Sequence, residues 1–274
     1  MIRSRIHVSS IFLLLLVSVS LGTTGGNQQL QLEIRLSKST YLVAEPIWLD
    51  ATLTNVSSDT VRIFGFFPPC QGPLNIELKD SIGRVMPYTG SRYDMTPNRG
   101  LVLESKEFFY GCFNLLELFN MKRSLHSFFW QIVWPGSYKV RASYENLCSQ
   151  EIEFQVVEPT EDEKEAYQLL EGAKTLMVQK EFDLERQKLQ ELINRFPNSA
   201  YAEKAHKELG QEKELLLKYP NSGYSEMNLT FLSGDLPTTE AKQEFLEKVI
   251  RDHPGTRSAM FAQQMLKWME RWGK

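Results

Sequence analysis

The apolar residues of this chain change period once, near residue 158, and that change limits the available folds more than any other feature. From Leu30 to about Val157 they alternate with polar residues. Leu30, Leu32, Ile34 and Leu36 form one run; Ile47, Leu49, Ala51 and Leu53 form a second, ended by the turn-forming Asn55, Ser57, Ser58 and Asp59. Shorter runs follow at Val61 and Ile63, at Leu74, Ile76 and Leu78, at Tyr138, Val140 and Ala142, and at Ile152, Phe154 and Val156. A period of two puts every second side chain on one face of a strand. Short strands divided by turn signals, with no helical run between them, predict a β-sandwich.

After Glu158, Pro159 and Thr160 the period becomes helical. Thr160 and Glu163 stand at capping-box spacing, which predicts a helix start at this point. Ala166, Leu169, Leu170, Ala173, Leu176 and Met177 then recur at steps of three and four, as do Phe182, Leu189, Leu192, Ile193 and Phe196 after a break near Lys180. This predicts two antiparallel helices. One phrase then recurs, as LQELINRFPNS, EKELLLKYPNS and LEKVIRDHPGT; Pro197 and Pro220 are 23 residues apart, Pro220 and Pro254 34. Each proline ends a helix, and Ser199, Ser222 and Thr256 are placed to cap the next one. His253 stands where Phe196 and Tyr219 stand in the sister phrases, which reads as packing rather than metal ligation.

The first half, through EIRLSKSTYLVAEPIWLDATLTNVSSDTVRI and PGSYKVRASYEN, resembles the immunoglobulin-like domains of bacterial envelope proteins and of the bacterial intracellular proteinase inhibitor family. The second half, from Glu163 to Trp272, resembles the tetratricopeptide repeats of envelope-assembly and division-associated periplasmic proteins. Phe182, Leu189, Leu192, Ile193, Phe196 and Pro197 match that pattern's packed positions and Ala173 its small one, while Glu185 stands in place of an alanine. The resemblances imply a multi-domain chain, all-β plus all-α. An immunoglobulin-like β-sandwich over residues 28–158 precedes an α-helical tetratricopeptide-like hairpin array over 160–274.

Arg3 and Arg5, the apolar run Ile11–Val17 and the small residues Ser18, Ser20 and Gly22 read as a signal peptide over residues 1–22, cleaved after Ser20 or Gly22. The run is too short for a spanning helix, so no stable membrane span is expected after cleavage and the mature chain is expected to be periplasmic or extracellular. In an oxidising compartment two of Cys70, Cys112 and Cys148 can pair; three thiols are the other reading.

A net charge of -3 and a pI near 5.9 give no basic field for phosphate backbones, so nucleic acid is not an expected partner. His126, His206 and His253 lie in separate segments outside any zinc motif, and no nucleophile elbow, phosphate loop or dinucleotide fingerprint occurs. No catalytic residue, cofactor or metal is therefore assigned. Two aromatic groups are candidates for partner binding: Phe66 and Phe67 in the stretch FFPPCQGP, and Phe261, Met265, Trp268 and Trp272, which share one helix face. Burial against the body of the protein is the competing reading for both. The expected function is an exported scaffold that binds another envelope protein or a peptide through its helices. The alternatives are a proteinase inhibitor acting through FFPPCQGP and, ranked last, an enzyme using His126, Cys112 or Glu163.

Overall fold

The computed structural model describes residues 29–64, 73–88, 100–119 and 135–272, the backbone alone at 162 and 272. Strand β1 (Leu30–Leu36) pairs antiparallel with β3 (Trp48–Asn55), which pairs antiparallel with β7 (Phe108–Asn114). A second sheet runs in the order β2 (Thr40–Leu42), β10 (Ile152–Val157), β8 (Gly136–Tyr144) and β5 (Leu74–Lys79), with β9 (Leu147–Cys148) also on β8. Its β2–β10 pair is parallel. Strands β4 (Val61–Ile63) and β6 (Leu101–Leu103) form a separate ladder, and the single turn α1 (Leu115–Leu118) follows β7.

The alternation read from the sequence is the burial pattern of these strands. Leu49, Ala51 and Leu53 of β3 are fully buried and share one apolar cluster with Leu74, Ile76 and Leu78 of β5 and with Val140 and Phe154 of β8 and β10. Burying such side chains is the main term holding the sheets together, at about 25 cal/mol per Å² of apolar surface. At the end of β8 the Tyr144 hydroxyl accepts the Phe64 N–H (2.9 Å) and donates to the Phe64 carbonyl (2.8 Å), and burial pushes its pKa up to about 12.

The strands stop at Val157, and the chain becomes helical: α2 (Glu161–Val178), α3 (Phe182–Arg195), α4 (Ala202–Glu208), α5 (Glu212–Lys218), α6 (Ser225–Gly234), α7 (Thr239–Asp252) and α8 (Arg257–Trp272). The break near Lys180 is a left-handed turn at that residue, φ 64°. The three recurring phrases have one local structure. Phe196, Tyr219 and His253 cap α3, α5 and α7 with φ/ψ of -129/57°, -128/60° and -130/51°, and each N–H donates to the carbonyl four residues back. The next turn closes by Ser199, Ser222 and Thr256 donating their N–H to those same capping carbonyls. Their hydroxyls then accept from the N–H of Tyr201, Tyr224 and Ala259. Proline forbids a continued helix, but of the three hydroxyl residues only Thr256 stands directly before its helix. Ser199 and Ser222 close the turns ahead of α4 and α6, whose N-cap positions are Tyr201 and Tyr224 with no side-chain cap.

Two further local expectations fail. Thr160 occupies the N-cap position of α2, but its side chain caps nothing, because the chain enters the helix through a left-handed Glu161 (φ 51°). Glu163 turns instead to the Ser199 turn, accepting from Ser199 Oγ (2.7 Å) and Ala200 N (3.2 Å). Phe182, matched to a packed position, is 58% exposed.

The apolar core does not stop where the strands do. Ala166, Leu170, Ala173, Leu192, Tyr201 and Ala205 belong to the same cluster as the sheet residues. Trp48, at the start of β3, is wedged against the α5–α6 turn, its ring T-shaped to Tyr224 at 4.7 Å. A Cβ built on Gly223 falls 1.9 Å from Trp48 Cε3. Gly223→Ala is therefore expected to destabilise the chain by about 3 kcal/mol, the upper range for forced overpacking. Gly234→Ala, which meets nothing within 4 Å, should leave stability unchanged or slightly raised. Urea unfolding of the two variants measures the contrast.

Candidate functional site

The chemistry of this molecule collects along the seam between the sheets and the helices. In a strand with Leu49, Ala51 and Leu53 facing the core, Asp50 points to the other side, where α8 lies. Arg257, the first residue of α8, meets it: Nε donates to Asp50 Oδ1 at 2.7 Å and Nη2 to Oδ2 at 2.8 Å. The Tyr110 hydroxyl also donates to Oδ1, and Arg257 Nη1 donates to the Asn221 carbonyl. The guanidinium side chain is only 8% exposed. Burial works against its charge, but the Asp50 hydrogen bonds outweigh that and hold its pKa above the ordinary value. Burial raises the Tyr110 phenol and the neighbouring Cys112 thiol, and Asp50 adds to both. Neither is a nucleophile at neutral pH.

Two helical turns beyond Arg257, Gln264 lies against the outer edge of β7. Its side-chain amide accepts the Tyr110 N–H (2.9 Å) and donates to the Tyr110 carbonyl (3.1 Å), as a neighbouring strand would. Seven residues on, Arg271 donates to the Val102 carbonyl of β6 at 2.6 Å and to Glu107, which Lys267 also approaches at 3.4 Å. Elsewhere on the seam the Tyr201 hydroxyl donates to the Val43 carbonyl at 2.8 Å.

Two clefts open beside these contacts. One, of about 210 Å³, lies between β6, β7 and the end of α8, with Trp268, Lys267 and Arg271 on its wall. Its cations are already held by Glu107 and the Val102 carbonyl. The other, of about 300 Å³, lies where the β2–β3 turn meets α4, the α5–α6 turn and the start of α8. Glu45, Trp48, Glu203, Ser222 and Arg257 are among its lining residues. Burial raises the pKa of both carboxyls. For Glu45 the Leu42 N–H and Lys38 oppose the shift; for Glu203 the Ser222 hydroxyl, Arg257 and Trp48 do so.

The residues nominated from the sequence are dispersed. Phe66, Phe67 and Cys70 lie outside the described residues, as does FFPPCQGP apart from Pro73. Cys112 is partly buried beside Asp50, Cys148 is exposed, and both are free thiols. Phe261 is 1% exposed, its ring 4.8 Å from that of Tyr110, so it is a core residue and not an accessible anchor. Met265 and Trp268 are partly buried, and Trp268 lies 6.2 Å from Phe109. The side chain of Trp272 lies outside what is described. Of the residues named for an enzyme, Glu163 serves the Ser199 turn and His126 lies outside the described residues. Among the described residues no group of three or more His, Cys, Asp or Glu could hold a metal ion.

Sequence reasoning missed Asp50, Arg257 and Glu203. One signal for Arg257 was available: a cation at the first position of a helix whose first turn has no acidic residue opposes the helix dipole and needs a carboxylate from elsewhere.

Arg257→Ala leaves the part-buried Asp50 without its counter-ion and is expected to cost about 3 kcal/mol, the lower end for breaking a buried pair. The double variant Asp50→Asn, Arg257→Met should recover part of that loss in a double-mutant cycle. A second expectation concerns pH. A carboxyl with a raised folded-state pKa adds stability in its neutral form. That contribution is complete below the unfolded pKa of about 4.3 and is lost as pH rises through the folded pKa. Glu203→Gln should therefore unfold at a higher temperature than the wild type at pH 7, with the gap closing toward pH 4, as read by thermal melts.

No family model and no curated protein matches the chain. Among solved structures it is similar to the alkylpurine DNA glycosylase AlkC of Pseudomonas fluorescens, at 11% identity and a TM-score of 0.29 over 47% of this chain and 30% of that one. It is similar to the CARDB domain of a Pyrococcus furiosus protein, at 14% identity and a TM-score of 0.26 over 47% of this chain and 87% of that one. A β-glucosidase from Listeria innocua gives 15% identity and a TM-score of 0.27 over 46% of this chain and 16% of that one.

Proposed function

We propose that this chain is an exported cell-envelope protein, periplasmic or extracellular, that binds another envelope protein or a peptide through tetratricopeptide-like helical repeats. An immunoglobulin-like β-sandwich is the body on which the repeats are mounted. The observation that carries this reading is the threefold recurrence of one helix–cap–turn–helix unit at Phe196, Tyr219 and His253. Stacked units of this kind form extended surfaces whose work is to hold other chains. The export half of the reading rests on residues 1–22. No described helix is long and apolar enough to cross a membrane.

The docking face is not the apolar stripe of α8, since Phe261 is consumed by the seam. The helical region exposes other large apolar side chains: Val178, Phe182 and Leu184 around the α2–α3 turn, and Leu217, Met227 and Phe231 on α5 and α6. Exposed side chains of this size are what a partner would cover.

A photo-crosslinking residue placed singly at Phe182, Leu217, Phe231 and, as a control on the sheets, Ile82 tests this in the producing cell. Ile82 is 81% exposed, so exposure alone would favour it. A discrete adduct at one or more helical positions, and none at Ile82, is expected. Adducts only at Ile82, or none anywhere, would contradict docking through the helices.

A further inference from the structure

We propose that the seam cleft beside Trp48 binds a primary ammonium group on a flexible stem, the chemistry of a lysine side chain or of a free alkylamine. Glu203 faces this cleft and is part-buried. Its Oε1 accepts from Ser222 Oγ at 2.8 Å. Among the described residues no Lys, Arg or His nitrogen comes within 4.0 Å of its oxygens. The guanidinium nearest in charge, Arg257, is matched by Asp50. A carboxylate partly withdrawn from water and left without a counter-ion is less favourable than a matched one.

Trp48 supplies an independent sign of the same deficit. It is 7% exposed, lines the cleft, and its indole Nε1–H has no hydrogen-bond partner among the described residues. It nevertheless lies near enough to Glu203 to favour the charged carboxylate. An arriving cation relieves both deficits together: it matches the Glu203 charge, and the ionised carboxylate becomes the stronger acceptor for the indole N–H.

The geometry selects an ammonium. Both Glu45 oxygens are engaged, Oε1 by Lys38 and Oε2 by the Leu42 N–H, so Glu45 contributes field and no free oxygen. Glu203 keeps one oxygen, Oε2, clear of the Ser222 hydrogen bond. A single oxygen suits a compact point charge, whereas a guanidinium fork is best matched by a bidentate carboxylate of the kind Asp50 already gives Arg257. Pro46, Tyr219 and Pro220 offer apolar wall to an alkyl stem within about 300 Å³. Lys218, exposed on the rim, is the resident cation best placed to compete.

The test titrates the full chain, at fixed ionic strength, with n-butylammonium, with N-acetyl-lysine methylamide, and with the uncharged N-acetyl-norleucine methylamide. The readout is the Trp48 indole N–H resonance, assigned by its loss in Trp48→Phe. Both ammonium probes are expected to shift it saturably, and the norleucine derivative not at all. Glu203→Gln should weaken binding by about tenfold or more, which is the loss of one ion pair of ordinary strength. Lys218→Ala, which leaves the seam intact, should tighten it. Affinity should fall as the pH drops through the raised pKa of Glu203 and its carboxylate is protonated. A tighter lysine derivative assigns the site to a protein's side chain; a tighter butylammonium assigns it to a free amine. An equal response to norleucine, no saturable response to either ammonium, or binding unchanged in both Glu203→Gln and Lys218→Ala would overturn the proposal. None of these readouts requires a protein partner, so the site and the docking reading stand or fall separately.

Discussion

A carboxylate in the middle of a strand and a guanidinium at the start of a helix, 207 residues apart in the chain, hold this structure in register. Each is unfavourable alone. Asp50 sits between Leu49 and Ala51 in a strand buried on its other face, and Arg257 places a positive charge at the positive end of the α8 dipole. Together, with the Tyr110 hydroxyl and the Asn221 carbonyl completing the set, they satisfy one another at low exposure. Because both partners lie on rigid elements, the pair fixes where α8 begins. That position puts Phe261 against Tyr110, Gln264 on the open edge of β7 and Arg271 on β6. The last helix thus protects the edge strand β7, which β3 pairs on one side only.

The strands were legible because alternation is a direct consequence of one-sided burial: Leu32 and Ile34, Leu49 to Leu53, and Leu74 to Leu78 are buried as their spacing implies. The ends of α3, α5 and α7 were legible because proline acts locally. What stayed hidden was non-local. Periodicity shows that Phe261, Met265 and Trp268 share a face, but not that a β-strand covers part of it. Asp50 looked like any polar position in an alternating run, since the sequence does not reveal that both faces of β3 are covered near that point. The Thr160 cap failed for a related reason: it was assigned from a pattern of neighbours, and the left-handed Glu161 and the position of Glu163 against Ser199 decided the local geometry instead.

A seam of this kind shapes what the molecule can do. With the apolar stripe of α8 turned inward, a partner is left the outward residues of α2, α3, α5 and α6, and the chemistry of the seam itself. Trp48, Gly223 and Tyr224 bring the strand and the α5–α6 turn into tight contact, and the polar cleft beside them is the place where Glu203 and the Trp48 indole N–H remain incompletely satisfied.

The central claim is that strands and helices form one cooperative body, closed by the Asp50–Arg257 pair and a core that crosses residue 158. Native-state hydrogen exchange over increasing denaturant tests it most directly, by comparing amides of β3 and β7 with those of α7 and α8. The account predicts that the slowest amides of all four elements merge onto one global opening with a common dependence on denaturant. Helical amides that open at lower free energy, in a transition of their own while the strands stay protected, would contradict it.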